Sequence, residues 1–402
     1  MQDIEFKDFI TLQRGFDLPE HSRVNGEIPV VGSTSISGFH NVAKVSAPGV
    51  VTGRSGALGE VQYIDKDFWP LNTTLWVKDF KNNDPKYVYY FLKTLDLKRF
   101  NSGAGVPTLN RNDLDTLKIQ IHEKNEQKII AKVLSNYDDL IENNNKRIKI
   151  LEEMAQKIYK EWFVDFRFPG HETVTFKDSE LGKIPSDWNS KPIGELLEHQ
   201  IGGGWGNEEQ RDKYTESAYV IRGADIPNGR DGNIQNCPLR YHTKSNIKTR
   251  LLQTNDIVFE VSGGSKGQPV GRALLLNKNL FNQFNDNVIC ASFCKLLRTD
   301  TKQILPEIVY LHLLNIYNNG EIEKYQTQST GIINFKFTFF LENEQILVPN
   351  DTIQELFKNI TVPIFDEISL LGYKNQALKQ TRDLLLPRLI SGEIDVENME
   401  IK

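Results

Sequence analysis

The chain has 402 residues, 39% hydrophobic and 25% charged, the balance of a globular protein with material for more than one core. No apolar run reaches the length of a membrane span and no charged-then-apolar leader opens the sequence, so a cytoplasmic protein with no membrane partner is expected. The net charge of −5 argues against a large non-specific pull on nucleic acid; Cys237, Cys290 and Cys294 form no paired metal pattern and read as small buried side chains.

Residues 1–122 read as a mixed α/β globule. Short apolar or alternating segments ("FKDFI", "IPVVGSTSISG", "GVVTGRSGALG") are broken by Gly, Ser and Asn turns, and "DPKYVYYFLKTLDLKRF" is one amphipathic helix. This globule carries 14 Lys and Arg against 14 Asp and Glu, so any DNA-facing side must come from arrangement rather than from the sum. Residues 123–166 follow as a long helix. Ile130, Leu134, Tyr137, Ile141, Asn144, Ile148, Leu151, Ala155, Ile158 and Trp162 alternate in steps of four and three, a coiled-coil seam that needs a second helix. Within it, Asn144 reads either as a buried register-setting residue or as a place where the seam opens to a partner. Residues 167–187 are polar and turn-rich, a linker with little core of its own.

A second α/β globule is expected over 188–348, again near neutral, with 17 basic and 18 acidic residues over 187–345. Its segments echo the first: "IGELL", "AYVIRGADIPNG", "DIVFEVSGGSKG", "QSTGIINF" and the helix "LPEIVYLHLLNIYNNGEIEKY". Residues 349–392 form the second long helix and 393–402 a tail. Phe357, Ile364, Ile368, Leu371, Asn375, Leu378, Leu385 and Leu389 give the matching seam, offset from the first by 227 positions, with Thr361 and Arg382 as poor knobs. Pro363 is expected to bend or break its early turns. A parallel helix pair would stretch the linker along the whole helix, about 55–60 Å, whereas an antiparallel pair needs only a local crossing. The resulting class is α+β: two mixed α/β globules separated by two long helices in an intramolecular antiparallel coiled coil, a pseudo-twofold repeat.

The duplicated globule-plus-helix, the "WF-x-DF" end of the first helix, the "G-x-IP-x-DW" opening of the second half and the closing "LLLPRLISGEID" together resemble the specificity subunit of type I restriction-modification systems. The resemblance implies that each globule is a target recognition domain reading one half of a bipartite double-stranded DNA site. It further implies that the helix pair fixes the spacing and docks two methylation subunits, which bring in restriction subunits. No cofactor is expected in this chain; S-adenosylmethionine, ATP and Mg²⁺ are expected on the partners.

The sequence offers little chemistry of its own. It lacks a proline-proline aromatic loop of the amino-methylating kind, and neither "GAG" at 103–105 nor "GGGWG" at 202–206 completes a dinucleotide fingerprint. Asp115, Glu126 and Lys128 are spaced as in a metal-dependent nuclease, yet Glu126 and Lys128 open the first long helix, where an acid suits the helix dipole. The chain is therefore expected to be a non-catalytic subunit.

Residues suited to base edges or phosphates cluster in the loops. In the first globule they are Ser33, Thr34, Ser35, His40, Arg54, Asn72, Thr73 and Thr74. In the second they are Arg222, Lys266, Gln268, Arg272, Asn285 and Asn287, with Trp205 able to pack on a sugar or base. Two readings of another class remain: a scaffold that bridges two identical proteins and ignores DNA, and an enzyme in its own right, disfavoured by the missing motifs.

Overall fold

The computed structural model describes residues 1–103, 105–264, 268–329 and 332–397. They fall into two compact units, Met1–Ile141 with Leu378–Lys402, and Glu142–Ala377. The division cuts both long helices, so each unit contains one globule and a length of paired helix.

In the first unit an antiparallel sheet runs in the order Thr11–Arg14, Thr74–Asp79, Gly49–Gly53, Val61–Ile64. A second sheet places Ile28–Val31 between Ile36–His40 and Trp69–Pro70, the last pairing being parallel. Gln2–Glu5 pairs with Lys118–Ile121. The helix Pro85–Thr94 starts where sequence chemistry says it should: Asp84 accepts from the Tyr87 N–H and Pro85 fills the first turn. Its apolar stripe, Tyr87, Val88, Tyr90, Phe91 and Leu92, joins the core of Phe9, Leu12, Leu75 and Val77.

The second unit repeats this topology. Leu197–Gly202, Cys294–Thr299, Ile257–Glu260 and Ala273–Leu275 form the four-stranded antiparallel sheet. Glu216–Ile221 lies between Leu239–His242 and a parallel Asn287–Cys290. Asn189–Pro192 pairs with Gln345–Val348, as Gln2–Glu5 does with Lys118–Ile121. One elaboration is added: Ser262–Gly263, Ile332–Phe335 and Gln326–Ser329 make a three-stranded ribbon. Among the described residues the first unit has isolated bridges there, Ser55 to Thr108 and Asn101 to Leu109. Thus the weak echo between the two halves of the sequence is a repeat of strand order and direction.

The long helices span Lys124–Tyr159, continued by a π-helical turn at Lys160–Val164, and Asp351–Ile390. In the first unit Asp138 pairs with Arg382 and the His122 ring contacts the Leu389 carbonyl. In the second unit Asn144 meets Asn375, Arg147 meets Glu367, and Trp162 meets Phe357. Within each unit, rising numbers on one helix meet falling numbers on the other, so both lengths of the pair are antiparallel. Of the seam residues, Ile130, Leu134, Ile141, Asn144, Ile148, Ala155, Trp162, Phe357, Ile364, Ile368, Leu371, Asn375 and Leu389 are buried. Tyr137, Leu151, Ile158, Leu378 and Leu385 are half-buried.

Three expectations are corrected. Pro363 does not break the second helix, which is continuous from Asp351 to Ile390. Its ring is exposed, the carbonyl deprived of its donor belongs to exposed Asn359, and buried Ile364, Phe365 and Ile368 hold the following turn. Arg382 and Thr361 are sound seam residues: Arg382 is ion-paired to Asp138, and the fully buried Thr361 hydroxyl donates to the Phe357 carbonyl at 2.9 Å. The stretch 167–187 is more than a linker, because Phe168 stacks on Trp188 at 4.9 Å and Phe176–Ser179 forms a hairpin with Gly182–Pro185. Phe168 and Ile184 are buried. Two apolar side chains spaced among polar ones were enough to anchor it.

Candidate nucleic-acid interface

In the first unit the loops that follow the strands Ile28–Val31, Gly49–Gly53 and Trp69–Pro70 are tied into one cluster by main-chain hydrogen bonds. Leu71-Asn72-Thr73-Thr74 is a tight turn, closed by the Thr74 N–H donating to the Leu71 carbonyl at 2.9 Å. The Thr73 carbonyl accepts from the Arg54 and Ser55 N–H groups at 2.8 and 3.1 Å, and the Arg54 carbonyl accepts from the Leu109 N–H at 2.8 Å. The Leu71 N–H donates to the Val31 carbonyl at 2.9 Å. Ser33 Oγ lies 3.0 Å from both the Ser55 and Thr73 carbonyls, locking the third loop to the other two.

The second unit builds the same clasp from different residues. Ala291-Ser292-Phe293-Cys294 is the turn, closed from the Cys294 N–H to the Ala291 carbonyl at 2.8 Å. The Phe293 carbonyl accepts from the Val261 and Ser262 N–H groups at 2.9 and 3.3 Å, the Val261 carbonyl accepts from the Phe335 N–H at 2.9 Å, and the Ala291 N–H donates to the Ile221 carbonyl at 2.8 Å. Even a forced glycine recurs. A Cβ on Gly15 would collide with the Pro70 and Leu71 carbonyls, and one on Gly203 with the Cys290 and Ala291 carbonyls. Because the frame is main chain, the side chains it presents are free to differ: Arg54, Asn72 and Thr73 in one unit stand where Val261, Ser292 and Phe293 stand in the other.

The first clasp gathers most of the candidates from that half. Thr34 and Ser35 are exposed at the loop tip, with the half-buried Ser33, Arg54, Asn72 and Thr73 beside them. Among the described residues the Arg54 guanidinium has no ion-pair partner, which leaves a cation for a phosphate or a guanine edge. Asn72 is shared with Asp17 through a side-chain hydrogen bond. His40 and Thr74 do not belong. His40 is 7% exposed, its Nδ1 accepts from the Val24 N–H at 3.0 Å, and its ring meets Trp69 edge-on. Thr74 is buried and its hydroxyl donates to the Leu71 carbonyl at 2.7 Å. Both polar groups serve the fold.

In the second half the two arginine candidates are committed to carboxylates. Arg272 and Glu260 form a buried bidentate pair at 2.8 and 2.5 Å, which pushes the guanidinium pKa further up and braces the clasp from inside. Arg222 forks onto Asp225 at 2.9 and 2.8 Å and keeps part of its surface open. Asn285 and Asn287 lie at the opposite end of their strand from the turn; Asn287 donates to the Ser217 carbonyl at 3.1 Å and Asn285 accepts from the Tyr219 hydroxyl at 2.9 Å. Gln268 is exposed, and Lys266 lies outside the described residues. Trp205 is 41% exposed, with the Arg240 guanidinium 4.7 Å above its ring.

Sequence reasoning missed Ser292, Phe293 and a cleft of about 650 Å³ lined by Lys213, Tyr214, Thr215, Thr243, Lys244, Ser245 and Asn246. Two ammonium groups among hydroxyls suit phosphodiester oxygens. For Phe293 the available signal was the C-x3-C itself: Cys290 and Cys294 are both fully buried, so the chain between them must turn, and it is Ser292 and Phe293 that point outward. Among the described residues no group of three or more His, Cys, Asp or Glu side chains could hold a metal ion, and no helix is long and apolar enough to cross a membrane. Glu126 caps its helix, accepting from the Glu123 N–H at 2.9 Å and lying 3.3 Å from His122 Nδ1.

Residues 1–153 match the family described as the type I restriction modification DNA specificity domain. The MjaIX specificity subunit of a type I restriction enzyme from Methanocaldococcus jannaschii is 29% identical over 359 residues, 82% of this chain and 74% of that protein. The MjaVIII specificity subunit from the same organism is 35% identical over 136 residues, 33% of this chain and 31% of that one. Among solved structures, the S subunit of a type I restriction-modification system from M. genitalium superposes with a TM-score of 0.59 at 16% identity, covering 97% of this chain and 96% of that one, a likeness of fold. The resemblance carried by the sequence motifs is therefore matched over the first 153 residues by the family and over most of the chain by relatives.

Proposed function

We propose that this chain is the DNA specificity subunit of a type I restriction-modification complex, each globule reading one half of a bipartite site and the helix pair setting the gap between the halves. The observation that carries the reading is the repeated clasp: one main-chain frame, built twice, presenting unlike side chains. A scaffold bridging two copies of one protein has no use for two such divergent turns, whereas a reader of two different half-sites does. The exposed Thr34 and Ser35 hydroxyls and the half-buried Asn72 amide and Arg54 guanidinium of the first clasp are the groups that hydrogen-bond base edges, and the Lys213–Lys244 cleft supplies phosphate contacts in the second.

The chain itself is a non-catalytic subunit in this proposal. Methyl transfer from S-adenosylmethionine belongs to two methylation subunits, and ATP- and Mg²⁺-dependent cleavage to restriction subunits. Exposed apolar residues on the helix lengths of the second unit, including Ile150, Met154, Leu370 and Tyr373, offer a surface for the methylation subunits. Methylation-sensitive sequencing of a host carrying this chain with its methylation partner tests the function. A split motif with two short defined halves and a constant gap is expected; an unchanged methylation pattern would overturn it and favour the scaffold.

A further inference from the structure

The main-chain bonds of the two clasps match one for one, but the chemistry they display does not, and the difference centres on Phe293. Its backbone is pinned: the carbonyl accepts two N–H groups, and the turn it sits in is closed at 2.8 Å and tied to Ile221 at 2.8 Å. Its side chain is 59% exposed, and it makes no ring–ring contact among the described residues. The position is occupied in the first clasp by half-buried Thr73. An aromatic ring on so rigid a turn adds nothing to either core; it loses little entropy on binding because only two side-chain torsions remain free. Apart from the exposed Ser292 hydroxyl beside it, the matching positions carry less hydrogen-bonding chemistry than those of the first clasp. Val261 packs against the core where Arg54 stands in the first unit, and Arg272 is closed onto Glu260.

We infer that Phe293 is a specificity-determining residue that recognises a thymine in the second half-site by apolar contact with its C5-methyl group. This rests on the DNA-reading function proposed above and assigns a chemical mode to one of its two readers. In the major groove an A·T pair presents the thymine methyl as its one apolar feature, and an aliphatic or aromatic side chain distinguishes it from cytosine by that group. The first clasp reads chiefly by hydrogen bonds; the second reads at this position by surface burial. Insertion of the ring as a wedge between base steps is the competing mode, and the two differ in what they need: a wedge requires no methyl group on the base.

The test uses the assembled complex and duplexes carrying the methylated motif once that is mapped. Each thymine of the second half is replaced in turn by deoxyuridine, which lacks only the methyl. At one position the wild-type complex should bind about fourfold more weakly, the worth of one buried methyl; Phe293→Ser should bind the thymine and deoxyuridine duplexes equally, and its methylated motif should relax at that position while the first half stays intact. Phe293→Leu should retain part of the discrimination. A second half without an A·T pair, wild-type indifference to deoxyuridine throughout it, or Phe293→Ser weakening every duplex alike as loss of a stacking wedge would, each overturns the inference while leaving a sequence-specific chain. Absence of any methylated motif instead overturns the DNA-reading function beneath it.

Discussion

Asn144 Nδ2 donates to Asn375 Oδ1 at 2.9 Å across the helix pair, and Asn375 Nδ2 passes the chain on to Asn145 Oδ1 at 2.8 Å. Asn144 is 9% and Asn375 5% exposed, so two amides stand in an apolar seam with each other as partners. Only one axial alignment brings them together, which is the geometry that the register-setting reading of a seam asparagine requires. Asn144→Leu should leave the Asn375 carbonyl oxygen unpaired and destabilise the fold by about 1–3 kcal/mol in urea denaturation. The double Leu variant should recover most of that loss. A double variant no better than the single one would remove the amide contact as the cause.

Glu344 gives an acid limb to stability. Burial alone would raise its pKa, but His312 Nε2 at 2.9 Å, the Tyr325 hydroxyl at 2.6 Å and Lys324 Nζ at 3.0 Å outweigh that and hold it at about 2. The Tyr159 hydroxyl, on the first long helix, lies 3.0 Å from the other ring nitrogen of His312, Nδ1. With the folded value below the unfolded one, this group's contribution is complete above pH 4.5 and fades as pH falls toward 2. Glu344→Gln should cost about 3 kcal/mol at neutral pH and flatten the dependence between pH 4.5 and 2, as followed by circular dichroism. An unaltered acid limb would assign it to other carboxylates.

Glu126 separates a helix cap from a metal ligand. Glu126→Ala removes the carboxylate that accepts from the Glu123 N–H and should cost about 1 kcal/mol. In the assembled complex with Mg²⁺ and ATP, DNA cleavage by this variant and by Lys128→Ala should be retained. Cleavage lost with DNA binding and assembly intact would place a catalytic metal in this chain.

Removing seven residues from each long helix preserves the alternation of fours and threes while shortening the pair by about 10 Å. If the helices set the gap, the mapped motif should lose about three base pairs between its halves, or binding should fail. An unchanged gap with full affinity would give spacing to the globules.

The helices were legible because their pattern is one-dimensional: a stripe of side chains at steps of four and three names its own partner. The repeat was legible where strands align, since matching "IPVV" to "AYVI" and "GVVTGR" to "DIVFEV" already sets Val31 over Ile221 and Arg54 over Val261, as the clasp hydrogen bonds do. The turns were not, because "LNTT" and "ASFC" share no residue; their likeness resides in carbonyl and N–H positions that sequence does not encode one residue at a time. For the same reason exposed polar residues could not be told from polar residues that serve the fold. His40 and Thr74 have the chemistry of readers, yet each is spent on a backbone group. Pro363 misled because the cost of a helical proline depends on which face it occupies.

A clasp held by carbonyl and amide groups has a consequence for how such a chain acquires new addresses. Replacing the side chain at position 34, 73, 292 or 293 leaves every main-chain bond of the frame in place, so variation there is nearly free of folding cost and, under the DNA-reading function proposed above, falls on which DNA is preferred. Gly15 and Gly203 are the opposite case, since any side chain at either would force carbonyls apart. Libraries randomised at the turn residues with the glycines retained should therefore be rich in folded proteins of altered preference, and the two halves can drift independently, one substitution at a time.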